Sequence, residues 1–79
     1  MERIEILNKL TEVFADNLDI DGLTLTEATT ADDVEEWDSL THVQLVVAVE
    51  KAFKIRFTAK EIQSWKNVGE MINSITAKS

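Results

Sequence analysis

Few residues in this 79-residue chain can do chemistry. It contains no cysteine and a single histidine, His42. His42 lies one helical turn after Ser39 in the stretch EEWDSLTHVQLVVAVE, residues 35 to 50. A serine with a histidine in reach is the beginning of a nucleophilic pair. Such a pair also needs a carboxylate to orient the imidazole and backbone donors for an oxyanion. No carboxylate is evidently placed to orient His42 and no glycine-rich loop is present, so the chain is not expected to be an enzyme. His42 is read instead as a residue at the edge of the core. The absence of cysteine removes disulfides, thiolate metal sites and a thiol nucleophile of the chain's own. A calcium loop built around Gly22 puts Asp19 and Asp21 at the third and fifth ligand positions. Asn17 would then be first and Ala28 twelfth, where a bidentate glutamate is required. No metal site is expected. There remain Asp38 and Ser39, a carboxylate and a hydroxyl at the head of an apolar run. Either can cap a helix by accepting from its first free N–H groups.

The elements that hold this pair follow from hydrophobic periodicity. Residues 3 to 17 read as an amphipathic helix, with Ile4, Ile6, Leu7, Leu10, Val13 and Phe14 on one half of the wheel. Residues 18 to 38 show neither helical nor strand period. They read as a long loop with one helical turn, pinned by Leu23, Leu25 and Val34. A second helix runs from about 39 to 53. The segments Thr58–Glu61 and Asn67–Glu70 both fit a capping box. They open a short third helix at 59–64 and a last helix at 68–76, whose apolar face is Val68, Met71, Ile72 and Ile75. Ile55 and Phe57 alternate across the connection and are expected to plug the core. The predicted fold is all-α: a small four-helix bundle, one domain over residues 1–79, with a long loop between helices 1 and 2 and a short third helix.

The second helix carries more apolar residues than one buried stripe can use. Leu45, Val46, Val49, Ala52 and Phe53 cluster within about 120° of the wheel. Leu40, Val43 and Val47 form a separate, narrower arc that begins directly after Ser39. A three-helix core accommodates the first arc, and the second is expected to be exposed as a docking strip.

Fifteen acidic against eight basic residues give a formal charge of −7. Nucleic acid is disfavoured as a ligand because phosphate binding needs a basic footprint. Basic protein surfaces are the better match. The opening MERIEILNKL lacks the apolar core of a signal peptide, and no stretch is long enough to span a bilayer. The expectation is a cytoplasmic monomer without a membrane partner.

A serine after a long loop, beside a partner-sized apolar strip, in an acidic helical chain without catalytic companions resembles the acyl carrier proteins. That family has Asp-Ser-Leu at the start of the second of four helices, then an apolar run ending in Glu-x-x-Phe. This chain has Asp38-Ser39-Leu40 and then VQLVVAVEKAF through Phe53. IRFTAKEI and NVGEMINSI are similar to the family's third- and fourth-helix segments. The resemblance implies that Ser39 is the attachment point for a 4′-phosphopantetheine arm, transferred from coenzyme A by a phosphopantetheinyl transferase with Mg²⁺. Asp38 would support that transfer through the metal, and for His42 the alternative to a core-edge place is that it shields the base of the arm. The cofactor would supply the sulfur the chain lacks, and its phosphodiester would lie where free N–H groups and the helix dipole favour an anion. The partners implied are the transferase and acyl-transferring and acyl-processing enzymes, met by Leu40, Val43 and Val47 and by Glu35, Glu36 and Glu50.

The chain departs from the fatty-acid members of that family. Thr41 and Gln44 stand where acids are usual, Lys51 is basic, and Trp37 takes the place before Asp38 near which a glycine is common. Its acids gather before the serine, at Asp32, Asp33, Glu35 and Glu36. A free-standing carrier for a fatty-acid-like or specialised biosynthetic pathway is therefore expected. The rival reading is an acidic helical interaction module that is never modified.

Overall fold

A computed structural model of the chain describes residues 2–78. Helix α1 spans Arg3–Leu18, a 3-10 turn covers Ala31–Asp33, and α2 spans Ser39–Phe53. The short α3 covers Ala59–Ser64, and α4 runs Val68–Lys78. No strand occurs among the described residues. The expected order and boundaries hold, with α1 one residue longer and α4 two residues longer than the periodicity indicated.

The helices sit where apolar arcs meet. Ile6, Leu10 and Phe14 of α1, Leu45 and Val49 of α2, and Val68, Met71, Ile72 and Ile75 of α4 are fully buried. At roughly 1.5–3 kcal/mol for each large side chain buried, this cluster drives folding. Six residues expected on inward arcs are not fully buried: Val46 is nearly so, Leu7, Val13, Ala52 and Phe53 are partly buried, and Ile4 is exposed. Ile4, in the first turn of α1, is 57% exposed. Phe53, in the last turn of α2, is only partly buried, with the Lys9 ammonium 5.0 Å from its ring centroid. At a helix end the neighbouring element stops before the arc does, so wheel position overstates burial.

The long loop is fastened rather than free. Leu25 and Val34 are buried and Leu23 is partly buried against the same core, as expected, and Ile20 and Trp37 join them. The start of α4 adds a backbone clamp. The Val68 N–H donates to the Thr29 carbonyl at 2.9 Å and the Gly69 N–H to the Glu27 carbonyl at 2.8 Å. A Cβ on Gly69 would lie 3.0 Å from that Glu27 oxygen, so glycine permits the close approach. Arg3 binds the Glu27 carboxylate through Nε and a terminal nitrogen and reaches Asn73 Oδ1 at 2.7 Å. One guanidinium thereby joins the starts of α1 and α4 to the loop.

Both expected capping sequences act, in different ways. Thr58 and Glu61 form the full reciprocal box. At α4, Asn67 Oδ1 accepts from the Glu70 N–H at 2.9 Å, but the Glu70 carboxylate reaches one residue further back, to the Lys66 N–H at 2.6 Å.

Candidate functional site

The loop delivers its chain to α2 through a series of local bonds. The Trp37 N–H closes a turn onto the Val34 carbonyl at 3.0 Å. Asp38 follows as an extended N-cap, and its Oδ1 accepts from the Leu40 N–H at 3.0 Å and the Thr41 N–H at 2.9 Å. Thr41 answers through its hydroxyl, which accepts from the Asp38 N–H at 2.9 Å and donates to the Glu36 carbonyl at 3.0 Å. The threonine thus fills the role that glutamate usually has in a capping box. Hydrogen bonds from Thr41 and Leu40 hold the Asp38 carboxyl below its usual range, so it is ionised at neutral pH.

Ser39 is the first residue of α2 and is exposed. Its hydroxyl forms no hydrogen bond among the described residues. The anion cradle expected at this helix start is only partly there. Asp38 already occupies the Leu40 and Thr41 N–H groups, which leaves the Ser39 N–H and the helix dipole to favour a phosphodiester. The donor set therefore fits an outward-pointing covalent group better than a pocketed anion. Asp38 Oδ2 makes no bond to the described residues, so one carboxylate oxygen beside Ser39 is open to solvent or to a cation.

His42 bonds to Trp37 and not to Ser39. The Trp37 indole N–H donates to His42 Nδ1 at 3.1 Å, and the two rings stack with centroids 6.0 Å apart. An indole N–H can only donate, so the neutral imidazole must carry its proton on Nε2. Burial pushes the His42 pKa down, which keeps it neutral. With Nδ1 engaged and Nε2 protonated, His42 has no lone pair to act as a base on Ser39. The residues on either side of Asp38 and Ser39 are thus locked together, and Trp37 in turn meets Phe14 of α1 edge-on at 5.0 Å. The pairing joins the residue before the N-cap to the fourth helical residue, the spacing of a hydrophobic staple. That spacing is visible in the sequence, although the expectation for Trp37 and His42 did not use it. Trp65 continues the row, edge-on to His42 at 6.2 Å and to Phe57 at 4.7 Å, with its N–H on Ser74 Oγ at 2.8 Å.

The expected docking strip is exposed: Leu40 is 74%, Val43 63% and Val47 44% accessible. Glu35 and Glu36 are also exposed, beside an open cleft of about 470 Å³ floored by Ile20, Leu23 and Val34. Leu40 follows Ser39 directly on α2, and Glu35 and Glu36 lie just before Asp38 in the loop. Glu50 lies at the Val47 end of the strip, where both line a second cleft. It is half-buried, and its Oε2 accepts from the Phe57 N–H at 2.8 Å, so it fastens the α2–α3 connection.

Comparison with known proteins bears directly on this site. Residues 8–75 match the family model described as a phosphopantetheine attachment site. An acyl carrier protein from Rubrobacter xylanophilus is 36% identical over 76 residues, covering 95% of this chain and 93% of the relative. One from Thermosynechococcus vestitus is 33% identical, covering 99% and 96%. The solution structure of a holo acyl carrier protein from Geobacter metallireducens superposes with a TM-score of 0.86 at 40% identity, over 92% of this chain and 84% of that one.

Proposed function

The chain belongs to the phosphopantetheine attachment-site family and, within it, to the acyl carrier proteins, and from that premise we propose that Ser39 carries the arm. The observation that carries this reading is the state of Ser39: an exposed, unbonded hydroxyl on the first residue of α2, inside the matched segment. When attached, 4′-phosphopantetheine supplies the terminal thiol on which acyl groups ride as thioesters. This chain's own residues position and present it. Asp38 fixes the helix start with one carboxylate oxygen and leaves the other for the divalent cation of the transfer. The Trp37–His42 pair holds the chain on both sides of Asp38-Ser39. Because His42 offers no base, the serine proton goes to another acceptor: the transferase, solvent or the unbonded Asp38 oxygen. The Ser39 oxygen would take the phosphoester bond as the pyrophosphate linkage of coenzyme A breaks, and adenosine 3′,5′-bisphosphate would leave.

We further read the chain as one cytoplasmic, monomeric carrier domain. Its Leu40–Val43–Val47 strip, flanked by Glu35 and Glu36, meets the transferase and the acyl-processing enzymes of a fatty-acid-like or specialised pathway. No described helix is long and apolar enough to cross a membrane.

Intact mass after incubation with a promiscuous phosphopantetheinyl transferase, Mg²⁺ and coenzyme A tests the attachment. Wild type should gain one phosphopantetheine and Ser39→Ala none, with helical circular dichroism retained in both. Modification that persists in Ser39→Ala refutes the assignment. A wild type that stays unmodified returns the chain to the reading of an unmodified interaction module.

A further inference from the structure

The basic residues of this acidic chain are unevenly engaged. Of its eight lysines and arginines, Arg3 is paired with Glu27, Lys78 with Glu61, and Lys9 lies over Phe53. Three others, Lys51, Lys54 and Arg56, line a single cleft of about 660 Å³ together with Val47, Glu50 and Ile55. All three are exposed, and none forms an ion pair among the described residues. The one acid in the cleft, Glu50, accepts from the Phe57 N–H, which leaves three cations against one carboxylate there. Lys54 also sits in a left-handed conformation, φ 58°, that glycine would adopt more readily. Lys51 can be explained as a complement to the negative end of the helix dipole. Arg56, beyond the helix, cannot.

The cleft continues the docking strip. Val47 is the last residue of the Leu40–Val43–Val47 row and the first wall of the cleft. At 1.5 Å per residue, Lys51 lies about 18 Å along α2 from Ser39. The face therefore changes sign along its length: the carboxylates of Glu35, Glu36 and Asp38 at the serine end, apolar side chains in the middle, and unpaired cations at the far end.

We propose that this cleft seats carboxylate side chains of the partner enzyme, so that the partner surface is itself bipolar, basic opposite the serine end and acidic about 18 Å further along the apolar groove. The occupant follows from charge complementarity: three cations beside two apolar walls accept an acidic protein edge and repel a uniformly basic one. The proposal rests on the reading of the strip as the docking face, but its test does not depend on Ser39.

Two helical peptides with identical leucine stripes serve as probes, one basic in one half and acidic in the other, the second basic throughout. Fluorescence anisotropy at low ionic strength should show the bipolar peptide binding wild type about tenfold more tightly than the basic one. Lys51→Glu/Lys54→Glu/Arg56→Glu should invert that order, and 0.15 M salt, with a Debye length of about 8 Å, should shrink both differences. Arg56→Glu alone, outside any helix, should move the ratio in the same direction and guards against a misfolded triple variant. Equal or tighter binding of the basic peptide to wild type, or no binding of the bipolar one, overturns the proposal. So does an order that survives charge reversal. Salt-sensitive self-association of wild type, abolished by Arg56→Glu, would give the cleft to a second copy instead. Modification of Ser39, read by mass on the same samples, reports separately on the carrier function.

Discussion

Leu45 and Leu40 lie five residues apart on α2 and should respond to alanine in opposite ways. Leu45 is fully buried among α1, α2 and α4 residues, so Leu45→Ala loses its transfer energy and leaves a cavity, at about 2–5 kcal/mol. Total stability for a chain of this length is roughly 4–12 kcal/mol. With about 4–8 °C lost per kcal/mol, the midpoint should fall by about 8–40 °C. Leu40 is 74% exposed. It keeps only a quarter of the roughly 1.5–3 kcal/mol that full burial of a leucine gives, so Leu40→Ala should cost about 0.5 kcal/mol. The better helix propensity of alanine offsets part of that. Leu40→Ala should instead slow phosphopantetheinylation of Ser39, because a docking contact next to the attachment point is gone. Far-ultraviolet circular dichroism on heating and in urea, with transferase kinetics on the same preparations, measures both effects. Equal stability losses for the two variants would show that the strip is core. A stable Leu40→Ala protein modified at the wild-type rate would show that the transferase does not use the strip.

Three further substitutions test the supports of the site. Gly69→Ala presses a methyl group onto the Glu27 carbonyl and should cost about 1–3 kcal/mol through the loop clamp; an unchanged urea midpoint would show that the loop yields freely. Asp38→Asn keeps the capping oxygen and removes the charge, whereas Asp38→Ala removes both. Slowed transfer in both variants with a lowered melting point only in Asp38→Ala would separate the two duties of the carboxylate, and equal melting points would deny the cap. Burial lowers the His42 pKa in the folded state, so its neutral form contributes stability above the unfolded value of about 6.5, and that stability is lost as pH falls through the folded value. Protonation also sets a hydrogen on Nδ1 against the Trp37 N–H, so tryptophan fluorescence should shift in the same window. The carboxylates with lowered pKa values, Glu27, Asp38 and Glu61, lose their contribution only below about 4.5. His42→Gln, which keeps an acceptor but cannot titrate, should flatten the upper window alone; profiles identical to wild type would rule out this role.

Much of this fold was legible because its signals are local. The 3.6-residue spacing of Ile6, Leu10 and Phe14, the box at Thr58 and Glu61, and the arc of Val68, Met71, Ile72 and Ile75 each name a helix within one short window. The two arcs of α2 likewise separated Leu45 and Val49 from Leu40 and Val43 before any tertiary information. Periodicity failed where a helix runs out of neighbours, at Ile4 and Phe53. It was also silent on the backbone clamp between Glu27–Thr29 and Val68–Gly69, since main-chain pairing across some forty residues leaves no mark on side-chain pattern.

The site was legible in its covalent chemistry and much less so in its electrostatics. Asp38, Ser39 and the exposed strip follow from residue type and position. The engagement of each charge depends on tertiary partners that the sequence does not show. Glu50 reads as a free acid on the docking helix until the Phe57 N–H is seen on its carboxylate. His42 reads as a residue at the edge of the core, which it is, but the indole N–H that engages its ring is a contact the sequence does not show. The carboxylates of Glu35, Glu36 and Asp38 precede Leu40, while after Val47 three cations, Lys51, Lys54 and Arg56, stand against the single carboxylate of Glu50. A net charge of −7 describes the chain as a whole, while along α2 the balance passes from carboxylates before Leu40 to an excess of cations after Val47.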